Sequence, residues 1–187
     1  MEISDYSDYD LIKRILAGNK ELFSELVTRY KKLVFNVVYN MIHDKQEVND
    51  MSQEIFIRIY QSLHRYNPQF KFSTWSVKIA TNYCLDAMRK KKIDSLPIDE
   101  VPDIPSNGDT PEVRYIKKEQ SIRIKKAIEN LPEKYKIPVI LFHQNGLSYE
   151  EITKVLNEPM TIVKNRLYRA RLMLREELSG LRKEEIS

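Results

Sequence analysis

A group of side chains able to form ionic and hydrogen-bonding contacts lies near the end of the chain. There Lys and Arg recur at helical spacing beside an amide and a phenol. Guanidinium and ammonium groups bind phosphates, and amides or guanidiniums also hydrogen-bond to base edges. The segment therefore predicts a DNA-binding surface, and the alternative is a basic helix that faces only solvent. The candidates are Ser148, Tyr149, Thr161, Lys164, Asn165, Arg166, Tyr168, Arg169 and Arg171.

Two helices and a tight turn must position these residues. Ser148 and Glu151 form a capping box that starts a short helix, and Asn157 with Pro159 predicts its end. Thr161 is the expected cap of the next helix. The order of short helix, turn and longer basic helix is typical of a helix-turn-helix. The second helix has a predicted buried stripe of Val163, Leu167, Ala170 and Leu174.

A helix over about residues 47–63 has one apolar and one polar side. Its apolar stripe is Val48, Met51, Ile55, Ile59 and Leu63. Its outward side carries Asp50, Gln53, Glu54 and Arg58. The residues alone fit a solvated face as well as they fit a face that binds a partner.

An aromatic and basic stretch follows this helix. Exposed bases stack on aromatic rings while phosphates attract cations, so the stretch is suited to single-stranded nucleic acid. Ser73 or Thr74 is the expected cap of the next helix. The expected buried stripe of that helix is Trp75, Ile79, Tyr83 and Ala87. The candidate contact residues are Phe70, Lys71, Phe72, Ser73, Thr74, Lys78, Asn82, Asp86 and Arg89.

The composition predicts an all-α protein of two helical domains, an N-terminal helical bundle and a C-terminal helix-turn-helix domain. Residues 94–113 lack Lys and Arg, and they hold six acidic residues and four of the eight prolines. Such a segment reads as a flexible acidic linker. The predicted boundaries are 1–93, 94–114 and 115–187. The remaining expected helices span about 10–17, 21–41, 115–130 and 133–143.

Several classes of function are disfavoured. The 187 residues carry a net charge of +4 and lack an apolar run of membrane-spanning length. The acidic N-terminus does not resemble a signal peptide. The single cysteine, Cys84, fits a buried structural thiol in a cytosolic protein. Metal-ligand spacing, a Gly-rich phosphate loop and a nucleophile motif are missing, so we expect no enzyme, no metal and no cofactor.

Taken in order, these motifs resemble the extracytoplasmic-function (ECF) sigma factors of bacterial RNA polymerase. The pattern D-x-x-Q-E-x-F stands at 50–56, F-x-x-W at 72–75, and I-A-x-N-x-x-x-D at 79–86. L-P-x-x-Y follows at 131–135, G-L-S-Y-x-E-I at 146–152, and V-K-x-R-L-x-R-A-R at 163–171. The resemblance covers almost the whole chain.

The resemblance implies a role for each motif. The helix with the D-x-x-Q-E-x-F pattern would dock on the coiled coil of the largest polymerase subunit. The aromatic loop and the helix after it would recognise and open the minus-ten promoter element. The helix-turn-helix would read the minus-thirty-five element in the major groove. The partners are then core RNA polymerase and promoter DNA, without a small-molecule substrate.

The resemblance also implies a cytoplasmic bacterial location and an anti-sigma factor that could hold the chain at the membrane. Two positions depart from the family. Thr161-Ile162 replaces the usual Gly-Thr pair, and Pro138 predicts a kink or a late start in its helix. Two other functions remain open: a free-standing helix-turn-helix regulator, which would not need the first domain, and a protein–protein adaptor with solvated basic patches.

Overall fold

A computed structural model describes residues 5–42, 44–94 and 111–184 of the chain. These residues contain helices and no strand, which confirms the all-α prediction. None of the described helices is long and apolar enough to cross a membrane. In order they are α1 (Asp8–Leu16), α2 (Phe23–Ile42), α3 (Lys45–Ser62), α4 (Phe72–Asp94), α5 (Pro111–Asn130), α6 (Glu133–Val139), α7 (Tyr149–Leu156) and α8 (Met160–Glu184).

The chain falls into two compact units. The first is Met1–Asp99 with Lys154–Asn157, and the second is Glu100–Thr153 with Glu158–Ser187. In the first unit α2 packs against both α3 and α4, which also pack against each other. The predicted apolar stripe of α3 is confirmed, since all five of its residues are buried.

Helix α1 is fixed to this bundle by polar side chains. It begins at Asp8, two residues before the expected start, because the hydroxyl of Ser7 accepts a hydrogen bond from the backbone N–H of Asp10 at 3.1 Å. Arg29 on α2 pairs with Asp8 at 3.1 Å and with Glu25 at 2.8 Å. These contacts bring the first helix beside the middle of α2.

Helix α4 differs from its prediction in where it begins and in which side is buried. It begins at Phe72, so Ser73 and Thr74 lie inside the helix and the predicted caps are wrong. The predicted stripe is also wrong, since Trp75, Ile79, Tyr83 and Ala87 are only half-buried. Helix α4 packs against both α2 and α3, and most of its buried side chains are small. The buried residues are Phe72, Thr74, Ser76, Val77, Ala80, Thr81 and Cys84.

Cys84 confirms its predicted structural role. Its side chain is fully buried, and burial raises the pKa of the thiol to about 12. A thiol with so high a pKa has little thiolate at neutral pH and is a poor nucleophile.

The predicted linker overlaps helices at both ends. Asp94 is the last residue of α4 and Pro111 the first of α5, while residues 95–110 lie outside the described part of the chain. Proline is tolerated at the first helical position, where the missing N–H would have no partner. Ile122 and Ile124 of α5 are both exposed.

In the second unit α8 packs against α5 and α6. Helix α6 starts at Glu133 as predicted, so Pro138 does not delay it. The helix instead changes at Ile140 to a π-helical turn that ends at Gln144. There the N–H of Leu147 donates to the carbonyl of Leu141 at 3.0 Å. Gly146, with φ at 68°, supplies the left-handed residue that leads the chain into α7.

The helix-turn-helix has the predicted chemistry at its first cap and turn. The N–H of Ser148 donates to the Glu151 carboxylate at 3.0 Å, and the N–H of Glu151 donates to the Ser148 hydroxyl at 3.2 Å. Asn157 takes the left-handed conformation, with φ at 53°. The predicted cap Thr161 is wrong, because α8 already begins at Met160 after Pro159.

Candidate functional site

The outward face of α3 is available to a partner. Asp50, Gln53 and Arg58 are exposed, and Glu54 is partly exposed. The Glu54 carboxylate pairs with the Arg58 guanidinium at 3.2 Å. We call the predicted set Asp50, Gln53, Glu54 and Arg58 the anchor face. Sequence reasoning missed Ile57, which is 51% exposed and lies seven residues after Asp50 on the same side.

One cleft joins the anchor face to α4. The Arg58 guanidinium lies 4.5 Å from the centroid of the Tyr83 ring, a cation–π contact. The cleft has a volume of about 500 Å³. Its walls include Glu54 and Arg58 from α3 and Asn82 and Asp86 from α4. The structure therefore brings together residues that the sequence assigned to two separate surfaces.

A second cleft opens where the aromatic loop, residues 66–71, enters α4. The loop is shaped by the Tyr66 hydroxyl, which donates to the Phe70 carbonyl at 2.6 Å, and by the Asn67 side chain, which accepts from the Gln69 N–H at 3.0 Å. Phe70 stays 38% exposed and Lys71 is exposed. These contacts hold a ring and a cation at the surface, as base stacking and phosphate binding require.

Distant residues complete this second cleft, which has a volume of about 480 Å³. Asp8 of α1 and Tyr30 of α2 line it together with the loop and Ser73. The Tyr30 hydroxyl donates a short hydrogen bond to the Asp8 carboxylate. Burial and then this hydrogen bond raise the pKa of Tyr30, so the phenol keeps its proton. No local sequence pattern predicted Asp8 or Tyr30, because both lie far from the loop in sequence.

Two of the predicted minus-ten residues are buried rather than exposed. Phe72 is 2% exposed and Thr74 is 6% exposed. The Phe72 ring packs edge-on against Tyr30 at 5.0 Å and Tyr66 at 5.5 Å. The expected cap at Ser73 or Thr74 would leave Phe72 in the loop, but Phe72 begins α4 and an aromatic cluster holds it in the core. Its packing instead fixes the loop that carries Phe70.

The other α4 candidates lie at the surface to different degrees. Asn82, Asp86 and Arg89 are exposed, and Lys78 is half-buried. Asp86 and Arg89 approach to 3.7 Å one turn apart. This spacing leaves Asn82 and Asp86 on the cleft beside Tyr83 and places Arg89 beyond it.

The buried residues of α8 lie on one side of the helix, and its exposed polar residues lie on the other. Val163, Leu167 and Ala170 of the predicted stripe are buried, and Leu174 is half-buried. The exposed residues include a ring, Tyr168, at 62% exposure. This exposed set is Thr161, Lys164, Asn165, Tyr168, Arg169 and Arg171. The geometry suits insertion of the N-terminal half of α8 into a groove of DNA.

The three arginines among the candidate DNA-binding residues, Arg166, Arg169 and Arg171, have different partners. Arg166 pairs with the Glu158 carboxylate at 2.8 Å. A hydrogen bond from Arg169 lowers the pKa of Tyr135 on α6. The Arg171 guanidinium donates to the Tyr149 hydroxyl at 3.2 Å. The guanidinium groups of Arg166 and Arg171 are thus oriented by side chains of the same unit.

Metal binding has no support in the described residues, where no group of three or more His, Cys, Asp or Glu side chains could hold an ion. Ser148 and Tyr149 instead serve the start of α7. Ser148 is exposed, and the half-buried Tyr149 ring lies 5.0 Å from Phe142.

Comparison with known proteins gives a family for both units. Residues 26–93 match the family model of Sigma-70 region 2, and residues 121–174 match Sigma-70, region 4. The chain is 35% identical over 179 residues to the ECF RNA polymerase sigma factor SigW of Bacillus subtilis, covering 91% of this chain and 96% of that protein. It is 30% identical over 192 residues to the RNA polymerase sigma-H factor of Pseudomonas aeruginosa, covering 97% and 99%.

Two solved structures share the fold. CnrH, in complex with the cytosolic domain of CnrY, aligns with a TM-score of 0.69 at 20% identity, covering 92% of this chain and 97% of that chain. The sigma factor RpoE of Bartonella quintana, in complex with the anti-sigma factor NepR, aligns with a TM-score of 0.66 at 19% identity, covering 84% and 96%. From the family matches and the identity along nearly its full length, the chain belongs to the ECF RNA polymerase sigma factors.

Proposed function

We propose that the chain is a dissociable specificity subunit of bacterial RNA polymerase and has no enzymatic activity of its own. Its two parts divide the work. Residues 1–93 bind core polymerase and open the minus-ten element, and residues 115–187 read the minus-thirty-five element. The acidic segment 94–114 connects them through the polymerase cleft. The location that this role requires is the bacterial cytoplasm.

The observation that carries this proposal is the polar face of α8. Three buried residues, Val163, Leu167 and Ala170, fix which side of the helix meets the domain. The opposite side presents Asn165 and Arg169, which are exposed. Amide and guanidinium groups make bidentate contacts to adenine and guanine, respectively. A helix that only needed solvation would gain nothing from this combination.

The first unit supports the same function through its two clefts. The cleft beside the aromatic loop offers an exposed ring, Phe70, next to polar groups that could receive an unstacked base. The cleft between α3 and α4 places the proposed polymerase contacts Glu54 and Arg58 next to the proposed minus-ten residues Asn82 and Asp86. Polymerase binding and strand opening would then occur at adjoining surfaces.

An anti-sigma factor is part of the proposal. The similarly folded RpoE of Bartonella quintana was solved with the anti-sigma factor NepR. An anti-sigma factor that occupies the anchor face would block access to core polymerase, and a membrane-bound one would hold the chain at the membrane. Co-purification from cells, with and without core polymerase as competitor, tests whether such a partner binds there.

Run-off transcription tests the function. Core polymerase with the chain should yield discrete transcripts from a promoter library, and core polymerase alone should not. Transcripts that are identical with and without the chain would contradict the proposal. A free-standing regulator would bind promoter DNA without co-purifying with core polymerase. An adaptor would show no salt-sensitive DNA binding.

A further inference from the structure

A carboxylate in the turn before α8 is held against an arginine of that helix. Glu158 Oε1 lies 2.8 Å from Arg166 Nη2, and the two side chains are 27% and 28% exposed. The backbone of Glu158 is itself fixed, since its N–H donates to the Thr153 carbonyl at 3.1 Å. Pro159 follows, and its ring restricts the chain further. The carboxylate therefore extends from a rigid turn, which lowers the entropy cost of forming the pair.

Arg171 provides a comparison, because its partners are a hydroxyl and an aromatic ring rather than a carboxylate. Its guanidinium donates to the Tyr149 hydroxyl at 3.2 Å and lies 5.9 Å from the centroid of the Phe142 ring. Both of these partners are neutral, so they orient the guanidinium without cancelling its charge. A carboxylate such as that of Glu158 orients the guanidinium and also cancels its charge. A DNA phosphate can use Arg171 as it stands, whereas it would have to displace Glu158 to use Arg166 fully.

We propose that Glu158 is a positioning residue that withholds Arg166 from DNA phosphates and so weakens the hold of α8 on DNA of every sequence. The inference rests on the proposed contact of α8 with the minus-thirty-five element. Phosphate contacts carry no sequence information. The restraint should therefore lower the affinity for promoter and non-promoter DNA by the same factor, which would limit non-specific retention of the polymerase.

The test uses holoenzyme reconstituted from core polymerase and the full chain. Binding is measured over a salt series on a promoter fragment and on the same fragment with a scrambled minus-thirty-five element. Glu158→Gln removes the charge at nearly constant shape. It should tighten binding to both fragments by about twofold to fivefold, the range that one partly exposed ion pair can account for. It should also steepen the salt slope by about one unit, as expected for one more phosphate contact.

Two control variants make the result specific. Glu176→Gln changes the net charge equally at an exposed position near the far end of α8 and should leave the slope unchanged. In a chain that also carries Arg166→Gln, the Glu158→Gln change should have no further effect on affinity or slope, because its target is gone.

An unchanged slope in Glu158→Gln would overturn the proposal, and so would a gain that persists without Arg166. If the ion pair were purely structural, its loss in Glu158→Gln would instead lower the unfolding temperature and weaken binding at constant salt slope. Failure of the proposed function would be distinguishable, because the wild-type chain would then not associate with core polymerase, or its holoenzyme would bind the promoter and scrambled fragments equally. In the latter case the slope difference between wild type and Glu158→Gln would remain measurable on either fragment.

Discussion

Helices α4 and α8 are both proposed to contact promoter DNA, yet they combine packing and binding in opposite ways. On α8 the buried Val163, Leu167 and Ala170 lie on one side, and the proposed DNA residues lie on the other. On α4 the proposed set includes the buried Phe72 and Thr74. The two buried residues stand in the first turn of α4, so the same short stretch serves both the core and the proposed DNA contact. Substitutions on α8 can therefore change binding alone, whereas some on α4 change the fold first.

The largest effect, a loss of folding stability, is expected at Phe72. Phe72→Ala empties a site enclosed by Tyr30, Tyr66 and Trp75 and should lower the free energy of unfolding of the first unit by about 3–5 kcal/mol. Phe70→Ala, at an exposed ring, should cost less than about 1 kcal/mol. The fluorescence of Trp75, the single tryptophan, reports unfolding of this unit in urea. Equal losses in the two variants would contradict the division between loop and core.

The next effect concerns the anchor face. Glu54→Lys reverses a partly exposed charge that pairs with Arg58, so it should leave the helix folded while weakening core polymerase binding by about tenfold or more. Glu21→Lys makes the same change at another exposed site of the first unit and serves as the control. The measurement is competition with wild-type chain for core polymerase. If Glu54→Lys bound core polymerase as tightly as wild type, the anchor face would not be a polymerase-binding surface.

A smaller and more local effect is expected on α8. Asn165→Ala removes a proposed bidentate contact to a base and should cost about 1–3 kcal/mol of discrimination at one position of the minus-thirty-five element. Binding to a set of single-base promoter variants measures this discrimination. A uniform loss of affinity across the set would mean that Asn165 does not read a base.

The smallest effect is expected at Arg171. Arg171→Ala should weaken binding to all sequences and flatten the salt slope by about one unit, because a phosphate contact is lost without loss of base readout. The same promoter set, measured over a salt series, separates the two roles. A changed sequence preference would show that α8 is rotated in the groove relative to this account.

Sequence periodicity predicted the helices whose buried side consists of large apolar residues. The α3 stripe and the first part of the α8 stripe are confirmed for this reason. It failed on α4, where the small Ala80 and Cys84 are fully buried and the larger Trp75 is only half-buried. Small residues permit close helix approach, but their size gives no periodic signal of it.

Contacts between segments that are distant in the chain could not be predicted from the sequence. The capping box at Ser148 and the left-handed Asn157 could be predicted, because each depends on neighbours within a few residues. The cleft at the aromatic loop could not, since it needs Asp8 and Tyr30 from other helices. The pairing of Arg166 with Glu158 likewise depends on the geometry of the turn.

The most direct test of the division between α4 and α8 compares Asn82→Ala and Asn165→Ala in reconstituted holoenzymes. Both positions are exposed, so neither change should disturb the fold. Promoter binding and permanganate reactivity of the minus-ten thymines are measured on the same complexes. We expect Asn82→Ala to bind the duplex promoter normally but to fail to open it. We expect Asn165→Ala to bind more weakly but to open the DNA that it has bound. Normal opening by Asn82→Ala, or failed opening by bound Asn165→Ala, would contradict this division.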